Sequence, residues 1–96
     1  MTDSKKIIQS PVFSKKKKKL NKQQIKDLDK AVTYIFSAPT IGDMKVGELQ
    51  GIQIYKFQSN NQQILLAYEV ANLTLLLYTF GFHENFYRNL KKYLQH

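Results

Sequence analysis

The sequence predicts an α+β domain ordered βααβββα, in which a mostly antiparallel four-stranded sheet carries two N-terminal helices and a C-terminal helix. Three observations predict it. Ile25, Leu28, Val32, Ile35 and Phe36 recur at the spacing of one helix face. Between Gly51 and Phe80, three strand-like apolar runs are separated by the turn-forming stretches Ser59-Asn60-Asn61 and Ala71-Asn72. Beyond Gly81 helical spacing returns, with Phe86, Tyr87, Leu90, Tyr93 and Leu94 on the inner side.

Each element has a local reason. Ile7-Ile8, within Lys6 to Gln9, is a β-branched pair suited to an edge or first strand. Ser10-Pro11 starts a helix, because serine accepts from an orphan amide and proline at the first helical position loses no needed donor. Phe13 and Leu20 fall on the same face of that helix. Asn21 with Gln24 forms a capping box for the second helix, which ends near Ser37 because Pro39 pushes Ala38 out of the helical region. Residues 40–50 read as a connecting loop.

The strand region follows. Gly51–Gln58 alternates Ile52 and Ile54 with Tyr55 and Phe57. Gln63–Val70 sets Ile64, Leu66, Tyr68 and Val70 on one face. Leu73–Phe80 is apolar on both faces, as a central strand is. The last helix runs from Glu84 to about Gln95, leaving Arg88, Lys91 and Lys92 outside. Tyr55, Phe57, Tyr68 and Tyr78 are read as sheet packing, and Glu69 and Glu84 as solvated charges.

The 96 residues make one domain, 1–96, without repeats, and a hydrophobic fraction of 43% argues against disorder. The absence of cysteine excludes disulfides and thiolate metal sites. The acidic residues are scattered without ligand-like spacing, so neither a metal nor another cofactor is expected. The opening MTDSKKIIQSPVF lacks the apolar core of a signal peptide, and Leu73 to Phe82 is about half the length of a membrane span. A cytoplasmic protein with no membrane partner is expected.

Fifteen basic residues against seven acidic ones give a net charge of +8, a field that favours polyanions or an acidic protein. Solubility alone is the plainer explanation. The charge is densest at Lys15, Lys16, Lys17, Lys18 and Lys19, with Lys22, Lys26 and Lys30 continuing it. At 100° per residue, five consecutive lysines sweep more than a full turn, so some must run their stems along apolar surface. As point charges they suit phosphate but read no sequence.

His83 raises a sharper question. One of only two histidines, with the terminal His96, it stands between an apolar run and a basic helix. It is either a surface residue at a strand end or the centre of a site. Gly81 permits close backbone approach. Tyr87, four residues on, shares its side of a helical first turn. Lys56, near the end of a neighbouring strand, can face the same concavity. A proton-transferring imidazole, a phenol and a fixed cation together suit phosphodiester cleavage by a ribose 2′-hydroxyl.

The stretches GELQGIQIYKF, QQILLAYEV and GFHENFYRNLKKYL, in this element order, resemble the RelE/ParE superfamily of bacterial type II toxins over nearly the whole chain. Many such toxins carry a glycine, then a basic or histidine residue, then an aromatic four positions later, and His83 and Tyr87 match those places. The YafQ-like branch has the histidine and aromatic; RelE-like members read arginine and tyrosine. The resemblance implies a toxin that cleaves mRNA on the ribosome, with His83 as general acid or base. Tyr87 would position or stack on substrate, and Lys56 would stabilise the phosphate. Lys15, Lys16, Lys17, Lys18, Lys19, Lys22, Arg88 and Lys91 would hold RNA. It also implies a cognate acidic antitoxin. Leu65 stands where RelE-like nucleases commonly have a catalytic arginine, and Gln63 where YafQ-like enzymes have an acid. A ParE-like inhibitor of DNA gyrase and a non-catalytic RNA-binding module are the alternatives.

Overall fold

Asn60 and Asn61 both take left-handed backbone conformations, φ 52° and 64°, and so close a two-residue hairpin between Ser59 and Gln62. That turn sets the register of the sheet. The computed structural model describes residues 6–44, 51–82 and Phe86. Strands β1 (Lys6–Gln9), β2 (Asp43–Met44), β3 (Gln53–Ser59), β4 (Gln62–Ala71) and β5 (Thr74–Phe82) form one sheet in the order β1-β5-β4-β3-β2.

The architecture is α+β, with two corrections to the expected sheet. Among the described residues it has five strands, because Asp43–Met44 pairs antiparallel with Ile54 and Gln53 inside the expected loop. Two residues are too few to leave an alternating pattern, so the strand exists through backbone bonds alone. The sheet is also mixed: β1 runs parallel to β5, from Lys6 opposite Thr74 to Gln9 opposite Leu77. The other pairings are antiparallel. Strand β5 is interior as expected, but β4 is the middle strand and is buried on both faces from Ile64 to Tyr68.

Helix α1 (Pro11–Lys18) is capped by the Ser10 hydroxyl, which accepts from the Phe13 N–H at 3.0 Å. It is shorter than expected. Leu20 lies beyond it, in the turn to the second helix, and still packs against the core. Helix α2 (Lys22–Ser37) opens on the expected capping box, with Asn21 and Gln24 exchanging bonds of 2.8 and 3.1 Å. A short 3₁₀ turn, Pro39–Ile41, follows it.

Alternation along the strands makes two apolar layers. Phe13, Leu28, Ile35, Ile64, Leu66, Tyr68, Leu75, Leu77 and Phe80 form the core between helices and sheet. Phe13 meets Phe80 edge to face, ring centroids 5.1 Å apart. On the opposite face Ile52, Ile54, Leu65, Ala67 and Phe86 cluster, with Tyr78 against them. The expected C-terminal helix, apart from Phe86, lies outside the described residues. Among the described residues no helix is long and apolar enough to cross a membrane.

Candidate functional site

The face that carries the smaller cluster also carries Lys56. Ile54 and Lys56 are two apart on β3 and share that face, while Tyr55 and Phe57 turn toward α2. Lys56 is exposed and stands opposite Leu65, which stands opposite Gly81. One row therefore crosses three strands, with Lys56 and Gly81 about 10 Å apart at the usual strand spacing. His83 follows Gly81 by two residues in sequence. His83, Tyr87, Arg88 and Lys91 lie outside the described residues, so of the expected catalytic trio the structure describes Lys56.

Leu65 is fully buried between Lys56 and Gly81, packed with Ile54, Ala67 and Phe86. The position resembling that of a catalytic arginine is thus the apolar floor of the row. A methyl group at Gly81 would find ordinary contacts, 3.5 Å from Phe86 and 3.7 Å from the Lys16 Nζ. Close backbone approach is not what this glycine supplies.

The lysine run divides by function, as its sweep around the helix requires. Strand β1 ends opposite Leu77, so the rest of β5 has no strand beside it on that side among the described residues. Helix α1 supplies substitutes. The Ser10 N–H donates to the Leu77 carbonyl at 3.0 Å, and the Ser10 hydroxyl donates to the Tyr78 carbonyl. Lys16 Nζ then donates to the Phe80 carbonyl at 2.8 Å. Its half-buried setting lowers the ammonium below its ordinary pKa of 10.5, through loss of hydration. Lys17 pairs with Asp29 at 2.9 Å. Lys15, Lys18, Lys19 and Lys22 are exposed, the form a phosphate-binding surface needs.

Three of the described carboxylates are occupied away from the Lys56 row, Asp29 by Lys17 among them. Asp27 accepts from Ser59 and Gln23, at 2.7 and 3.0 Å. Glu69, expected to be solvated, is half-buried and accepts the Tyr78 hydroxyl. The part Lys16 plays at the strand end left one trace in sequence: a run that turns too far to stay in solvent.

A family model described as the ParE-like toxin of type II bacterial toxin–antitoxin systems matches residues 7–91. Two solved structures share the fold. A chain in the crystal structure of the intact E. coli RelBE toxin–antitoxin complex superposes with a TM-score of 0.70 at 18% identity, covering 84% of this chain and 99% of that one. The isolated E. coli RelE toxin in its P21 form gives 0.68 at 16% identity, covering 93% and 98%. No curated protein matches the chain in sequence.

Proposed function

We propose, from the premise that the chain belongs to the family of ParE-like toxins of type II bacterial toxin–antitoxin systems, that this toxin cleaves mRNA on the ribosome. The observation that carries this reading is the row Lys56–Leu65–Gly81. It sets an exposed cation in register with the strand end that immediately precedes His83. In the proposed reaction a ribose 2′-hydroxyl gives up its proton and attacks the adjacent phosphorus. The bond from phosphorus to the 5′-oxygen breaks, and that oxygen takes up a proton. His83 serves as general acid or base in these transfers, and Lys56 offsets charge on the phosphoryl oxygens. Tyr87 positions or stacks on the substrate. Lys15, Lys18, Lys19 and Lys22 hold ribosomal RNA by its phosphates, joined by Arg88 and Lys91. The neutralising partner is an acidic antitoxin, in keeping with the RelBE complex whose toxin has this fold.

Buried Leu65 favours a second reading, since no arginine occupies that place. In it the chain inhibits DNA gyrase without catalysis. One experiment separates the two: mapping mRNA 5′ ends by primer extension in cells expressing wild type or His83→Gln. The nuclease predicts new ends inside translated codons, reduced by roughly two to four orders of magnitude in the variant. Growth arrest with intact messages and accumulated gyrase–DNA cleavage complexes would overturn it.

A further inference from the structure

Three aromatic rings meet on the outer side of the α2–β3 contact. Tyr34 of α2 packs edge-on against Tyr55 of β3, centroids 5.9 Å apart, and Tyr55 stacks at 6.3 Å on Phe57. They line an open cavity of about 300 Å³ with Asp27, Lys30 and Gln58. A second cavity, of about 480 Å³, continues it along α2, and the two share Lys30 and Tyr34. The result is one furrow with aromatic walls at one end and Lys26, Asp29 and Lys30 along its side.

Three features say what fits there. Tyr34 is 50% exposed, an unusual position for a large ring in a packed interface. Lys26 and Lys30 lie one helical turn apart on α2 and form no salt bridge among the described residues. Two carboxylates line the furrow, but Asp29 is paired with Lys17 from outside it, so Lys26 and Lys30 outweigh Asp27. Flat π-faces beside unpaired ammonium groups are the combination that holds single-stranded nucleic acid, bases on the rings and phosphates on the lysines. An acidic peptide would use the lysines but leave the ring faces without a matching partner.

We infer that the α2–β3 furrow binds an unpaired segment of RNA, with a base against Tyr34 and backbone phosphates at Lys26 and Lys30. The site faces away from Lys56, because neighbouring residues of β3 point to opposite sides of the sheet. It is independent of cleavage, and a gyrase inhibitor with this furrow would bind RNA equally well.

The test is fluorescence anisotropy of a labelled single-stranded 2′-O-methyl RNA of roughly ten nucleotides, which cannot be cleaved through its 2′-position. Tyr34→Ala is expected to weaken binding about tenfold, while Tyr34→Phe retains it. Lys30→Gln should lower the salt slope by about 0.7, the value for one lost contact to a single strand. Melting curves establish that the variants fold, as the exposure of Tyr34 leads one to expect. Absence of binding by the folded wild type, or equal binding by Tyr34→Ala, would overturn the proposal. So would equal affinity for a duplex of the same length, or displacement by polyglutamate that is the same for wild type and Tyr34→Ala.

Discussion

Tyr68 has no exposed surface, yet its hydroxyl ties three parts of the chain together. It accepts from the Gly42 N–H at 2.9 Å and donates to the Pro39 carbonyl at 2.7 Å, with the Gln53 amide 3.2 Å away. The segment after α2 is thereby fastened over β4. Any side chain at Gly42 would start 2.6 Å from that hydroxyl, so only glycine fits the approach. Tyr68→Phe strands a buried donor and a buried acceptor, and urea denaturation should show a loss of about 1–3 kcal/mol. Burial raises the Tyr68 pKa above its ordinary 10.0; the Gly42 N–H pulls the other way, and Tyr55 adds to the rise. A raised folded pKa keeps the proton on the native phenol after the unfolded one has lost it. The tyrosine's contribution is therefore complete below about pH 10 and declines as pH rises through the folded pKa. The stability gap between wild type and Tyr68→Phe should narrow above about pH 10 and stay constant below it; a pH-independent gap would contradict this. In sequence, Tyr68 was legible as an inward-facing strand residue. Its partners were not, because Pro39 read only as a helix stop and Gly42 only as loop.

At the scale of elements, side chains that cap one structure by joining another matter most. Ser10 starts α1 and also closes part of the open side of β5. Ser10→Ala removes the helix cap and leaves the Tyr78 carbonyl without its hydroxyl donor, so it should cost about 2 kcal/mol by thermal or urea unfolding. A loss of only a few tenths would mean that water replaces both bonds. The cap itself was readable from Ser-Pro, as were the capping box of α2 and the Asn-Asn hairpin, because each is set by adjacent residues. Less readable was the length of α1: the lysine run has good helical propensity past Lys18, but Asn21 claims the chain for α2 and leaves a turn between. Strand β2 was invisible for the opposite reason, since its partner on β3 and not its own composition makes it a strand. Of the candidate site, Lys56 was legible through the alternation of β3, and its alignment with Gly81 emerged only from the register.

Across the whole molecule, the charge of +8 is less available than its sum suggests. Lys16 and Lys17 serve α1's attachment to β5 and to α2 respectively. Replacing Lys15, Lys18 and Lys19 by glutamine should therefore lower the salt slope of ribosome or RNA binding by about one per lost contact, with little change in stability. Replacing Lys16 and Lys17 should instead lower stability and leave the slope nearly intact. Equal slopes from the two sets would show that the run acts as a diffuse cloud of charge. Among the described residues the element order was readable apart from β2, but not the direction of pairing, because no local pattern tells that β1 lies parallel to β5.

That parallel pairing has a consequence for how the toxin comes into being. Lys6–Gln9 precedes its partners Thr74–Leu77 by most of the described chain, so β1 leaves the ribosome with its neighbour still unwritten. Until Leu77 has cleared the exit tunnel, Ile7 and Ile8 have no β5 to join, and β4 lacks the neighbour on its other side. Synthesis stopped short of that point yields a fragment lacking both the finished sheet and the strand end beside Lys56. On the proposed reading, activity arises only once the sheet is complete, in a polypeptide born on the machine it is proposed to attack.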